Sequence, residues 1–577
     1  MNGDFRVGPW VVEPSLNSIS CKGTTVRLEP KVMEVLICLA RHAGETLPKE
    51  TLFDTVWPNT FVTDDVLKHA ISELRRAFED DAREPRIILT IPKRGYRLVA
   101  PVNASGATGT PTASLARDSI VVLPFVNMSA EPESEYFADG ITEEIINALA
   151  HIEQLHVAAR SSAFSFKHKH VDLHIVGERL NVRTVLTGSV RRAGSRLRVT
   201  VQLVNVSDGY HIWSERYDLE IKDIFEVQDE IARSIVERLR ISLEGKREEP
   251  LVRAGTKNLE AYQLYLKGRA MLYQRGPAIL RGLNYFQRAV TLDSEYALAW
   301  AGLADSYTTI GYYGLIRPEE SISNGTEAAR RSVALDPSLA EAHNSLGMCC
   351  LLHEWDLPTA EQEFLCALKL NPRYIQAHCW YALFYLQLAA GRMAEGIEHT
   401  RIAVEFDPLS GYANAMLGMT HSAAGRYSEA VEICERAVEL DPDSYLARCS
   451  LQWALRFSQR YEDAVAACKS ALAMSGRHPW AMGSLAIILA EWGKRADAES
   501  VYAEMMARAR HEYMAPAELA VAASAVGMQD EAICHAREAF EVRDPFCRIH
   551  FSKYWPDTAR LREDPRFQEI LLKYKLD

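Results

Sequence analysis

The sequence predicts a multidomain chain of three successive architectures: an α+β unit over residues 1–103, an α/β domain over 118–250 and an all-α superhelix over 255–577. Three observations carry this. In the first hundred residues, short β-forming pieces precede three amphipathic helical patterns and a closing hairpin. At 119–125 the run SIVVLPF is continuously apolar, as a strand buried on both faces is, and a helical pattern follows it. From 258 onward helix pairs end in LDS, LDP, LNP, FDP and LDP, and the prolines at 337, 372, 408, 442 and 479 stand 35, 36, 34 and 37 residues apart. A period of that size marks stacked helix-turn-helix units, and about eight fit the remaining length. Between the first two parts, VNASGATGTPTASLAR at 102–117 is small and polar and reads as a flexible linker, 104–117 by the boundaries above.

In the first unit, β-forming pieces run over Phe5 to Val12, Ser18 to Cys21 and Thr25 to Leu28. Pro30 opens the first helix, where Val32, Leu36, Leu39 and Ala40 share a face. Pro48 leads the second, which turns Leu52, Phe53 and Val56 inward and stops at Trp57-Pro58. Thr63 or Asp64 caps the third, with Val66, Ala70, Leu74 and Phe78, joined by Leu67 and Ile71, as its buried stripe. That leaves Lys68, His69, Ser72, Arg75 and Arg76 on or beside its open face. The segment TIPKRGYRL, Thr90 to Leu98, then places Lys93, Arg94 and Arg97 around one glycine and one tyrosine on a hairpin.

Composition bounds the function. Of 577 residues 48% are apolar and 25% charged, no apolar run approaches the roughly 18 residues that cross a bilayer, and the N-terminus lacks a signal-peptide layout. A cytoplasmic protein with no membrane partner is expected. The 11 cysteines include no CxxC pair and fall mostly in apolar helical patterns, which points to buried thiols rather than a metal site. No phosphate-binding glycine loop or nucleophile elbow occurs, so neither an enzyme nor a cofactor is expected. Net charge is −12, yet residues 1–103 carry 14 basic and 14 acidic side chains. Contact with a polyanion would therefore depend on where those cations stand.

In the central domain, AARSSAFSF reads as a strand, Leu173 to Leu180 as a helix, and Val227 to Leu243 as the helix leading out. The histidines of HKHVDLH (168–174) read as solvated loop residues, Glu143 and Glu144 as the polar first turn of a helix, and Arg191, Arg192, Arg196 and Arg198 as the outward side of a hairpin. Tyr381, Tyr385, Arg426 and Trp453 are either packing residues of the repeats or part of a concave partner surface.

FVTDDVLKHAISELRRAFEDD followed by ILTIPKRGYRL resembles the OmpR/ToxR-type winged-helix DNA-binding domain, in its CadC-like branch. VVLPFVNMSAEPESEYFADGITEEI, AARSSAFSFK, VLTGSVRRAGSRLRV and HIWSERYD resemble the TolB-like domain, and the C-terminal half resembles tetratricopeptide repeats. The linker stands where ToxR and CadC proteins place a transmembrane helix, so the layout is closer to soluble relatives of the HilA kind. The resemblance implies a bacterial transcriptional regulator that binds promoter DNA as tandem or paired copies, with a protein or peptide partner on the concave repeat face. Lys68, His69 and Ser72 would then meet bases, Arg75 and Arg76 phosphates, Arg94 the adjacent minor groove, and Lys93 and Arg97 the phosphates beside it. The alternative is a scaffold whose winged helix contacts protein.

Overall fold

The computed structural model describes the chain except residues 1–4, 9, 14–17, 22–23, 43–45, 57–63, 79, 81–84, 92–93, 101, 105–117, 130–134, 151, 153, 170, 221–223, 240–254, 275, 277, 556–557 and 575–577. It divides into two compact units, Met1–Leu115 and Ala116–Asp577. Trp57-Pro58 and Lys93 lie outside the described residues.

The first unit runs β1 (Phe5–Val7), β2 (Trp10–Glu13), β3 (Ser18–Cys21), β4 (Thr24–Arg27), α1 (Pro30–Arg41), α2 (Lys49–Val56), α3 (Asp64–Phe78), β5 (Ile88–Ile91), β6 (Gly95–Leu98) and β7 (Val102–Ala104). Its sheet is antiparallel in the order β4-β3-β2-β1-β7, and β5 and β6 form a separate hairpin. Strand β7 corrects the start of the linker, because Val102 pairs with Val7 and Ala104 with Phe5. An edge strand offers unpaired backbone groups to any chain beside it, so the small, polar composition there did not prevent pairing. The core joins Val12, Ile19, Val35, Leu36, Leu52, Leu67, Ile71, Leu74 and Tyr96, with Trp10 edge-on to Phe78 at 5.7 Å. Val66 is 41% exposed, against its place in the expected stripe. The stripe of α3 is centred on Leu67, Ala70, Ile71 and Leu74, and a residue one step before Leu67 points about 100° away from it.

The second unit opens with β8 (Asp118–Val122), β9 (Val126–Asn127), α4 (Glu135–Ala150), β10 (Leu155–Val157), α5 (Arg160–Phe164), α6 (Leu173–Leu180), β11 (Thr184–Ala193), β12 (Arg196–Asn205), β13 (His211–Glu220) and α7 (Ile224–Arg238). The sheet order is β10-β8-β11-β12-β13, with β9 beside β11. Strand β8 is parallel to β10 and β11, and the long β11-β12-β13 meander is antiparallel. Two expectations fail. Arg160–Phe164 is helical rather than extended, and Glu143 lies in the middle of α4 rather than in its first turn.

Eight helix pairs follow among the described residues, from Leu259–Gln274 with Ala278–Leu292 to Pro516–Ala525 with Gln529–Glu541. Small residues set their spacing: a Cβ on Gly418 would come within 2.2 Å of Cys434 Sγ on the paired helix. Tyr381, Tyr385 and Trp453 are buried packing residues, whereas Arg426 is about half exposed. Pro565–Tyr574 closes the array by burying Phe567, Ile570 and Leu571.

Candidate nucleic-acid interface

Amphipathic order in α3 separates a packing side from a chemical side. With Leu67, Ala70, Ile71, Leu74, Ala77 and Phe78 turned inward, Lys68, His69, Ser72 and Arg76 are exposed. Lys68, Ser72, Arg75 and Arg76 line one recess of about 400 Å³ between α3 and the hairpin, together with Ile71, Asp80, Thr90 and Tyr96. Arg76 meets Glu73 one turn earlier at 2.8 Å, and its side chain remains 82% exposed. Exposure of that order makes the pair weak and leaves the guanidinium available to a stronger anion. Glu73 is thereby matched by a cation.

Arg75 is placed differently from its neighbour. It is half-buried, and its Nη2 donates to Ile88 O at 2.8 Å and to Thr90 Oγ1 at 2.9 Å, tying α3 to β5. Arg97 is also half-buried and donates through Nε and Nη2 to Thr46 Oγ1 at 3.0 and 2.6 Å. Arg75 braces the hairpin against α3, and Arg97 braces it against the segment that leads into α2. Arg94 is exposed at the hairpin tip, where its N–H closes the turn on Ile91 O at 3.0 Å.

The tip is held by a contact that the local sequence does not announce. Leu47 and Tyr96 exchange backbone hydrogen bonds at 2.9 and 3.0 Å, so the residue preceding the turn into α2 pairs with β6. Gly95 has φ +134°, and a Cβ there would lie 1.9 Å from Leu47 O. Only glycine fits. Tyr96 turns into the core and is 6% exposed.

Asp80 is the positioning residue that sequence reasoning missed. Its carboxylate accepts the N–H groups of Arg86 at 2.6 Å, Ile87 at 3.1 Å and Ile88 at 2.8 Å, while its own N–H donates to Arg75 O at 2.8 Å. One carboxylate thereby fixes the path from the end of α3 into β5. Its only sequence signal was an acid placed between a helix and a strand, which fits a surface turn equally well.

This geometry, an amphipathic helix with its polar side outward beside a hairpin with a cationic tip, coincides with a match to the family described as "Transcriptional regulatory protein, C terminal" over residues 23–98. The N-terminal unit is a winged helix of that family. Beyond the winged helix, residues 116–234 match the second domain of HilA/YgeH-like transcriptional regulators and 412–444 a tetratricopeptide repeat. The winged-helix region is similar to the transcriptional activator CadC of Escherichia coli, 46% identical over 98 residues, which are 17% of this chain and 19% of CadC. Similarity to the transcriptional regulator HilA of Salmonella typhimurium is 24% identity over 387 residues, 66% of this chain and 67% of HilA. A Rhizobium meliloti protein with an adenylate cyclase designation is 38% identical over 245 residues, 42% of either chain. The matched stretches thus span less than half of the Rhizobium protein and of CadC. No helix among the described residues is long and apolar enough to cross a membrane.

Proposed function

We propose that the chain is a bacterial transcriptional regulator whose winged helix reads duplex promoter DNA. The observation that carries this is the coexistence, in one compact unit, of an α3 face bearing Lys68, His69, Ser72 and Arg76 and a hairpin tip bearing Arg94, all exposed. An α-helix fits the major groove, where donors on its outer face reach base edges. An arginine at a loop tip suits the neighbouring minor groove, where narrow A·T tracts concentrate negative potential. Lys68, His69 and Ser72 are assigned to bases, Arg76 to phosphate and Arg94 to the minor groove. Arg75 and Arg97 hold the hairpin at the spacing the two grooves require, and either reaches phosphate only through what its fixed guanidinium leaves free. Lys93 is assigned to phosphate from its sequence position beside Arg94.

One winged helix buries too little surface for high specificity, so two copies side by side are proposed on the DNA. The central domain is read as TolB-like and the repeats as the protein-contacting part of a cytoplasmic regulator that acts by binding rather than catalysis. Selection tests this reading. The full-length protein is incubated with a pool of random duplexes and the retained fragments are sequenced. A recurrent motif with two half-sites is expected, weakened when Lys68, His69 and Ser72 are together replaced by alanine. Retained DNA that matches the input pool would overturn the reading in favour of a scaffold whose winged helix binds protein.

A further inference from the structure

Where the central domain meets the repeats, the second unit encloses a cavity of about 500 Å³. That is within the usual range for small-ligand sites, roughly 300–1,000 Å³. One wall comes from α4, β10 and α5, and the other from the end of Leu259–Gln274, the face of Ala297–Tyr312 and the starts of later repeat helices. The walls are locked together by Asp407, which accepts hydrogen bonds from Ser162 N at 2.9 Å and Ser162 Oγ at 2.6 Å, and by Arg373, which donates to Leu155 O at 3.3 Å. The cavity belongs to a rigid seam between the two parts.

Two charges of opposite sign line it with capacity to spare. Arg160, on the central-domain wall, uses Nε on Glu143 at 3.0 Å and is clasped between the rings of Phe164 and Tyr273, 4.0 and 3.8 Å from their centroids. Its two Nη groups make no hydrogen bond among the described residues. Glu341, on the repeat wall, is half-buried, and its side chain has neither a hydrogen bond nor an ion pair among the described residues, though its charge reaches Arg269, Tyr374 and Glu144. Thr309 also lines the cavity, and its fully buried Oγ1 has no hydrogen-bond partner among the described residues.

We propose that this cavity binds a zwitterionic, amino-acid-like metabolite or dipeptide, its carboxylate on the Arg160 fork, its ammonium on Glu341 and its apolar side chain against Phe164, Tyr273 and Tyr374. A planar guanidinium presenting two parallel donors matches a carboxylate, and its confinement between two rings removes the rotamer entropy that binding would otherwise cost. A ligand that carries only one charge leaves either the two Nη groups of Arg160 or the Glu341 carboxylate without the hydrogen-bond partner that would replace water. The cavity belongs to the second unit alone, and the proposal does not depend on the DNA-binding reading.

Calorimetric titration of the full chain with L-phenylalanine, the dipeptide Ala-Phe, phenethylamine and 3-phenylpropionate tests this. At least one of the two zwitterions is expected to bind with a Kd below about 1 mM, with both single-charge analogues weaker by about tenfold or more. Glu341→Gln is expected to weaken the zwitterion by about tenfold while leaving 3-phenylpropionate unchanged. Arg160→Lys keeps the charge on Glu143, loses the fork and is expected to weaken both carboxylate-bearing probes. If Arg160→Lys does not fold, Glu341→Gln decides alone, because no described residue is hydrogen-bonded to or ion-paired with that side chain. Absence of binding by every probe at about 10 mM, tighter binding of phenethylamine than of either zwitterion, or zwitterion binding indifferent to Glu341→Gln would overturn the proposal.

Discussion

Gly95 and Asp80 each hold the hairpin through backbone, and so do not depend on neighbouring side chains for their effect. Gly95→Ala places a methyl group 1.9 Å from Leu47 O at a φ of +134°, so the backbone must move. A loss of about 2–4 kcal/mol is expected by denaturant unfolding of the winged helix. Asp80→Ala strands the three N–H groups of Arg86, Ile87 and Ile88 and is expected to cost about 2–3 kcal/mol, with Asp80→Asn intermediate. A turn glycine at 95 was legible in the sequence from its place between Arg94 and Tyr96. The reason no other residue fits was not, because the obstructing carbonyl belongs to Leu47, far away along the chain.

At the scale of elements, the order of sheet, three helices and hairpin follows from periodicity and proline placement. So do Leu173–Leu180 and the face of α3 that stays wet. Two elements escaped. Strand β7 forms because the edge of β1 needed a partner, and α5 is helical although its residues also suit a strand; both are decided by neighbours rather than by composition. Arg75 and Arg76 show the same limit, since adjacent cations on one helix point in different directions. Arg75→Ala removes the bonds to Ile88 O and Thr90 and is expected to lower the thermal midpoint of the winged helix. Arg76→Ala is expected to leave that midpoint unchanged, while lowering affinity for all duplexes alike and making the salt slope shallower by about one. Differential scanning fluorimetry paired with a salt titration separates the two.

Across the whole molecule, the repeat period revealed the superhelix, but not that the central domain packs onto it to form one unit. Burial exposes that union. Glu143, expected in a solvated first turn, instead joins Arg160 at 3.0 Å and Arg269 at 2.6 Å, and Tyr273 donates to it at 2.8 Å, across the seam. Its neighbour Glu144 has its carboxyl pushed up to about 8 by burial and by the charge of Glu143. Because the folded state holds that proton more tightly than the unfolded chain, the associated stability is complete below the ordinary carboxyl value of 4.5 and is lost as pH rises through about 8. Glu144→Gln is therefore expected to match the parent near pH 4 and to exceed it by about 1–2 kcal/mol near pH 9, a margin held down by partial exposure of the group. Thermal unfolding across that pH range reads this directly.

The most direct measurement is the affinity of the full-length protein for a selected duplex, followed by fluorescence anisotropy across a salt series, for the parent and for Arg94→Ala. The expected result is a parent affinity that falls steeply with salt, an Arg94→Ala affinity lower by about 1–3 kcal/mol, and a flattened preference for A·T tracts in the variant. Equal affinity, equal salt slope and equal sequence preference in the two proteins would contradict a winged helix that reads DNA through its hairpin tip.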